Sequence, residues 1–262
     1  MGDNKTNHRS TSRVLDILEL ISNGNNEGYT LTEIASKLNV PKSSLFPMLH
    51  TLLDRQYLSL DANQGKYCIG MMLFQVGSSY LDNFNIMNDI TTELQNITNV
   101  CAEASHFAIL NNGNIIYLAK IDSPEPIRMI SSVGKSLPAY GTGLGKSLLM
   151  DHSINELRRL YPDGLKPMTQ YTVTDFDLLD EQLSKARQCG FAYEVEESNL
   201  YIRCISIPIR QNNKIVAAIS VAVPTFRYTQ EKADLIQHLL LNAKHRLESI
   251  LKTIYVDFNN LT

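Results

Sequence analysis

Tryptophan is absent from this 262-residue chain, and cysteine occurs only four times. Cys68, Cys101, Cys189 and Cys204 are widely spaced and form no C-x-x-C pair. That spacing argues against a disulfide framework and a closed zinc site, and no cofactor is indicated. No apolar run approaches the ~18 residues that a membrane span needs. Residues 1–10 are polar and lack the apolar stretch of a signal peptide, so a soluble cytoplasmic protein is expected. An excess of one charge is also missing: 24 Lys+Arg face 27 Asp+Glu, a net charge of −3. This argues against a generic polyanion binder but leaves room for a DNA binder with a few placed contacts. The length suits one large domain or two ordinary ones, each able to bury a core unaided.

The residues present change period along the chain. Val14, Leu15, Ile17, Leu18 and Ile21 fall at helical spacing before the stop Asn23-Gly24. Thr30 and Glu33 have the separation of a capping box, opening a short helix with Leu31, Ile34, Ala35 and Leu38 on its apolar face. Pro41 is placed to open the next helix, in which Leu45, Met48, Leu49 and Leu52 form a stripe. Residues 57–60 and 66–69 read as strands joined by the turn residues 61–65. Residues 71–84 read as an unusually apolar helix, with Leu73, Val76, Tyr80 and Phe84 as its stripe, and 86–100 as another. Strands are expected at 104–110, 115–121, 191–195, 202–209 and 215–223. Helices are expected at 143–150, 154–160 and 178–189, and a long one closes the chain on Ile236, Leu239, Leu240, Ala243, Leu247, Ile250 and Leu251. This order is α+β.

Two candidate sites emerge. In residues 12–70, two short helices and a hairpin make a winged helix-turn-helix pattern, in which the second helix enters the DNA major groove. Its outward residues are Lys42, Ser43, Ser44, Phe46, Pro47, His50 and Thr51. Ser43, Ser44 and the free first-turn amides suit phosphate, Phe46 suits a thymine methyl, and Lys66 in the hairpin suits a phosphate or the minor groove. Seven basic and seven acidic residues cancel within 1–75, so affinity must come from placed contacts and multivalency. Pro47 lacks the N–H that would reach the carbonyl of Ser43, and is expected to shorten or bend the helix. A protein-binding helix-turn-helix is the competing reading of the same pattern.

The second candidate is Gly141–Ser147. A Walker A loop needs a glycine five residues before Gly145, and that position is Tyr140. No clear strand leads into it, since Pro138 interrupts the approach. A tightly packed helix start is the plainer reading, and a small carboxylate held at that start is a third. Cys204 has no evident partner base, so a buried inert thiol is favoured over a nucleophile. By strand alternation Arg203 faces away from Cys204, while Arg128, beside Met129, is a candidate anion contact.

Taken together, the segments "LTEIASKLNVPKSSLFPMLHTLLDRQYL" with the wing "DANQGKYCIG", "GKSLPAYGTGLGKSLLM", "GFAYEVEESNLYIRCISIPI" and "AAISVAVP" resemble the IclR family of bacterial transcriptional regulators. The resemblance implies a winged helix-turn-helix domain (1–70), a linker helix (71–85) and a GAF-like effector-binding domain (86–262). It implies a ligand-responsive regulator, expected to be a repressor of a catabolic operon, that binds an operator and a small organic acid or aromatic. It also implies assembly into dimers or tetramers, for which the 71–84 stripe is the expected contact. Carried over by motif, the effector pocket comprises Met129, Leu137, Gly143, Leu144, Glu194, Ile202, Cys204 and Ser220. Four positions depart from the family pattern. Pro47 stands where Arg is frequent, Tyr201 replaces a usual Gly and is expected to narrow the pocket mouth, Glu194 replaces Asp, and Ala222 replaces a Ser of some members. An enzyme or nucleotide-binding protein built on the later domain is the alternative reading, which Mg²⁺-dependent ATP binding would favour.

Overall fold

The computed structural model describes residues 8–24, 27–61, 63–82, 86–129 and 131–253. The chain divides into two compact units, residues 1–84 and 85–262. Residues 1–7 of the expected tail, Asn25 and Asn26 of the first loop, Ala62 of the hairpin turn, and Phe84 lie outside the described residues, as does the side chain of Tyr80.

In the first unit α1 (Arg9–Ser22), α2 (Leu31–Leu38) and α3 (Lys42–Asp54) pack around Ile17, Ile21, Ile34, Leu45, Leu49 and Leu52. The capping box holds α2: Thr30 Oγ1 accepts from the Glu33 amide at 3.3 Å, and Glu33 Oε2 accepts from the Thr30 amide at 2.7 Å. Asn39 ends α2 in the left-handed conformation, which Asn tolerates better than most residues. The hairpin is larger than its sequence suggests. A two-residue strand β1 (Tyr29–Thr30) joins β2 (Leu58–Asp61) and β3 (Lys66–Ile69) in the order β1-β3-β2. Two residues carry no alternation, so β1 is visible only through its pairing with Tyr67 and Lys66. Pro47 does not shorten α3, which continues through it to Asp54. It sits one turn inside the helix, where the hydrophobic contacts of Leu45, Leu49 and Leu52 on either side hold the backbone in place. Helix α4 (Met71–Asp82) follows.

The second unit is a six-stranded antiparallel sheet flanked by helices. Helix α5 (Met87–Cys101) leads into β4 (Ala104–Asn111), β5 (Asn114–Ile121) and β6 (Ser136–Pro138). Then come α6 (Gly143–Leu148), α7 (Ile154–Leu160), α8 (Phe176–Cys189), β7 (Ala192–Val195), β8 (Ile202–Gln211), β9 (Lys214–Pro224) and α9 (Gln230–Leu251). The sheet order is β6-β5-β4-β9-β8-β7. A short strand therefore does lead toward Gly141: β6 pairs with β5 through Ser136, Leu137 and Pro138, and as an edge strand it tolerates the proline. Alternation assigns the two faces. Ile205, Ile207 and Ile209 of β8 face α9, whose buried stripe is Ala233, Ile236, Leu240, Ala243, Leu247 and Leu251. Cys204 and Ser206 face α6, where Ser206 Oγ donates to the Gly143 carbonyl at 2.5 Å. Helix α8 starts two residues earlier than its apolar period indicates, because Asp175 caps it by accepting from the amides of Asp177 and Leu178.

Candidate functional site

On α3 the expected DNA-facing residues form an exposed strip. Lys42, Ser43, Phe46, Pro47 and His50 are exposed and Ser44 is half-buried. Pro41 precedes the helix without a side-chain cap, so the first-turn amides of Lys42 and Ser43 keep their donors available. Phe46 is 55% exposed with its ring 6.3 Å from that of His50, an arrangement no core requires. Two other residues are partly engaged. His50 Nδ1 lies 3.0 Å from Asp54, and the Lys66 ammonium pairs with Glu27 at 3.3 Å. Lys66 therefore carries a neutralising partner that sequence reading did not anticipate.

In the second unit the expected pocket residues divide into two groups. Met129, Ile202 and Cys204 form one buried cluster with Ala222. Glu194 lies opposite Cys204 across the β7–β8 pair, so it belongs with that group. Leu137 and Leu144 belong to a separate core with Ala108, Tyr117, Tyr140 and Leu183. Ser220 is buried on β9 between Ser206 of β8 and His106 of β4. Nor does the start of α6 stand apart from the strands to admit a ligand. A Cβ built on Gly143 would lie 2.9 Å from Cys204 Cβ and 3.6 Å from Glu194 Cβ. The helix has six residues, and Thr142 already occupies the Gly145 amide at 2.9 Å.

This packing also disposes of the phosphate-loop resemblance of residues 141–147. A Cβ on Gly145 would overlap the backbone of Ala139, and one on Gly141 would overlap Met168. The glycines are there for close approach. Lys146, the residue a phosphate would need, is 2% exposed and ion-paired with Glu197. Burial lowers its pKa and the Glu197 carboxylate works against that. Glu197 is held in turn by the Val173 amide at 3.2 Å. Sequence reading missed the Lys146–Glu197 pair because nothing local links residues 51 positions apart.

Glu194 is 1% exposed. Its Oε1 accepts from the amides of Glu197 at 2.7 Å and Ser198 at 2.9 Å, and from Ser198 Oγ at 3.3 Å. Its Oε2 meets no N–H or O–H donor among the described residues, and the carboxyl's one further neighbour is the Cys204 thiol, a weak donor. Burial pushes its carboxyl upward, against the Ser198 amide, the Cys204 thiol and Lys146, which pull it down. Burial and the nearby Glu194 push the Cys204 thiol well above its ordinary range, so it is an uncharged, weak donor. Burial likewise raises Tyr117, whose phenol senses both Cys204 and Glu194. Beside Tyr117, at 5.4 Å between rings, His106 makes a 2.9 Å bond from Nε2 to Ser131 Oγ. Tyr117, His106 and Ser131 are thus further polar groups on this face, brought in by strand register. Arg203 points the other way, its guanidinium 4.9 Å from the Tyr228 ring. Arg128 is exposed, and among the described residues it reaches the Glu125 carbonyl.

Tyr201 corrects an expectation. Its side chain is 70% exposed and does not close over the pocket. What the position demands is a left-handed backbone, φ +66°, which a glycine adopts freely and which tyrosine adopts at a cost of about 1–2 kcal/mol.

Residues 78–248 match the family described as bacterial transcriptional regulator IclR C-terminal, and residues 10–62 match the IclR helix-turn-helix domain. The chain belongs to the IclR family. The HTH-type transcriptional regulator KdgR of Escherichia coli is 26% identical, covering 92% of this chain and 91% of KdgR. The E. coli repressor AllR is 27% identical, covering 78% and 76% respectively. The crystal structure of Thermotoga maritima IclR superposes with a TM-score of 0.73 at 27% identity, covering 93% of this chain and 99% of that one. The protein is a ligand-responsive DNA-binding transcriptional regulator with a helix-turn-helix unit and an α+β effector unit. Among the described residues, no helix is long and apolar enough to cross a membrane.

Proposed function

We propose that this IclR-family protein is a cytoplasmic repressor of a catabolic operon whose effector is a small organic carboxylate. The effector sits beside the cluster of Met129, Ile202, Cys204 and Ala222, with Glu194, Tyr117 and His106 as its polar neighbours. The observation that carries this reading is Glu194 Oε2, one of four buried side-chain polar atoms without an N–H, O–H or acceptor partner among the described residues and the one that lies beside this cluster. Buried polar atoms are almost always paired, so one left open on the face that carries Cys204 and Ser220 calls for a partner from outside the chain. Repression is supported by AllR, a relative whose name describes a repressor.

Lys42, Ser43, Ser44, Phe46, Pro47 and His50 contact the operator, with Lys66 at the wing. A homo-oligomer, formed through α4, presents two such helices about 34 Å apart or a multiple of it. The test begins with operator selection from random DNA by the full chain. Anisotropy is then measured with acetate, glycolate, benzoate and 4-hydroxybenzoate present in turn. Release of the selected operator by at least one acid supports the reading, and unchanged binding with all four counts against a carboxylate effector. Lys42→Ala should weaken binding across all sequences and reduce the salt slope by about one, whereas Phe46→Ala should change sequence preference.

A further inference from the structure

A carboxylate entering this cluster meets an acid already in place. The buried groups are two carboxyls, Glu194 and Glu197, and one ammonium, Lys146. The ammonium is committed to Glu197 by their ion pair. Besides Lys146 of α6, the groups facing Glu194 from the other elements are Cys204 of β8 and Tyr117 of β5, with His106 of β4 beyond Tyr117. These last three are uncharged at neutral pH: burial holds the thiol and the phenol above their ordinary values and the imidazole below its own. Beyond His106, Lys120 is occupied by Asp122 at 3.0 Å and the Ser131 carbonyl at 2.7 Å. One ammonium, Lys146, thus serves two buried carboxyls: it is paired with Glu197 and acts on Glu194 only from a distance.

An ionised Glu194 would hold a buried charge with only a thiol and a shared ammonium beyond its Oε1 bonds, which is costly. An arriving carboxylate would add a second anion beside it. A single proton on Oε2 removes both penalties and turns the unpaired oxygen into a donor. We propose that Glu194 stands as a neutral carboxylic acid and donates a hydrogen bond from Oε2 to the effector carboxylate. This rests on the carboxylate-effector reading above. The proton stays on Glu194 throughout, so binding involves no transfer between the two groups. At a pH where empty Glu194 has ionised, each effector bound takes one proton from solvent. The three donors on Oε1 fix the carboxyl plane and so aim Oε2 in one direction.

The experiment has two arms on the full chain. Carbon-13 NMR of protein labelled at the glutamate carboxyls, without effector at pH 7, should show one neutral carboxyl that is missing in Glu194→Gln. Calorimetry with acetate, glycolate, benzoate and 4-hydroxybenzoate follows from pH 6 to 9. Wild-type affinity should fall about tenfold per pH unit above the titration of Glu194. Glu194→Gln keeps an N–H donor and cannot ionise, so its affinity should be flat with pH. Finding every glutamate ionised while an acid still binds overturns the donor role alone. So does pH-independent wild-type binding that is lost in Glu194→Gln, the behaviour of an acceptor for a ligand hydroxyl. A neutral Glu194 with none of the four acids bound overturns the carboxylate reading and the donor role with it.

Discussion

Acidification from pH 7 to pH 4 should destabilise the effector unit through one imidazole. His106 is 1% exposed, and burial, helped by the nearby Lys120, holds its pKa at about 4 against an ordinary 6.5. The folded-state value is depressed, so between 6.5 and about 4 the unfolded chain binds a proton that the folded protein refuses. Stability conferred by the neutral ring is complete above 6.5 and is lost as the pH falls toward 4. The 2.5-unit difference corresponds to about 3 kcal/mol. Carboxylates titrate over the same range, so the measurement must be a comparison. Urea unfolding of wild type and His106→Gln at steps from pH 7.5 to 4 isolates the ring, because the carboxylate contributions cancel between the two proteins. Glutamine can keep a bond to Ser131, which lies 2.9 Å from Nε2, and it does not titrate here. The wild-type advantage should shrink by about 3 kcal/mol across the range. Parallel stability curves would refute the reasoning, whatever the offset between them.

Three further outcomes follow from features of the same fold. Lys146→Met strands the buried Glu197 carboxylate and should cost about 3–5 kcal/mol, read as a lower thermal midpoint, whereas Lys146→Met with Glu197→Gln should recover much of that loss. Gly145→Ala places a methyl into the backbone of Ala139 and should cost at least about 1–3 kcal/mol by urea unfolding, while a tolerated alanine would show that α6 can shift away. Phe74 on α4 is 72% exposed, and Phe74→Asp should shift sedimentation toward smaller species and weaken operator binding through lost avidity; an unchanged sedimentation profile would place self-association elsewhere.

Features that depend on neighbours in sequence were legible before the structure. The Thr30–Glu33 box is a fixed three-residue spacing, the α3 stripe of Leu45, Leu49 and Leu52 repeats at the helical period, and β8 and β9 are apolar runs buried along most of their length. Features that depend on register were not. Leu137 and Leu144 lie in the same segment as Gly143, yet they pack with Tyr117 and Ala108 rather than with Met129, Ile202 and Cys204. Adjacent residues on a helix point in different directions, and only the seating of α6 on the sheet decides which one meets which core. Lys146 looked like a motif lysine because its partner, Glu197, is supplied by a distant turn. The expected shortening of α3 at Pro47 does not occur, because local rules carry no information about the core contacts that hold the helix together around it.

The strand pairing at the centre of the sheet also bears on how the molecule is made. Strand β4 pairs on one side with its hairpin partner β5 and on the other with β9, Ala104 lying opposite Ala222. During synthesis the first unit and the β4–β5 hairpin emerge early, but the second edge of β4 has no partner until residue 222 leaves the ribosome. At about 5–20 residues per second that interval is on the order of ten seconds. Through it the nascent chain carries an apolar hairpin with one open edge, the kind of surface that invites pairing with other chains. Slower expression or added chaperone should therefore raise the folded yield of this regulator, by leaving fewer chains with that edge open at once or by shielding it.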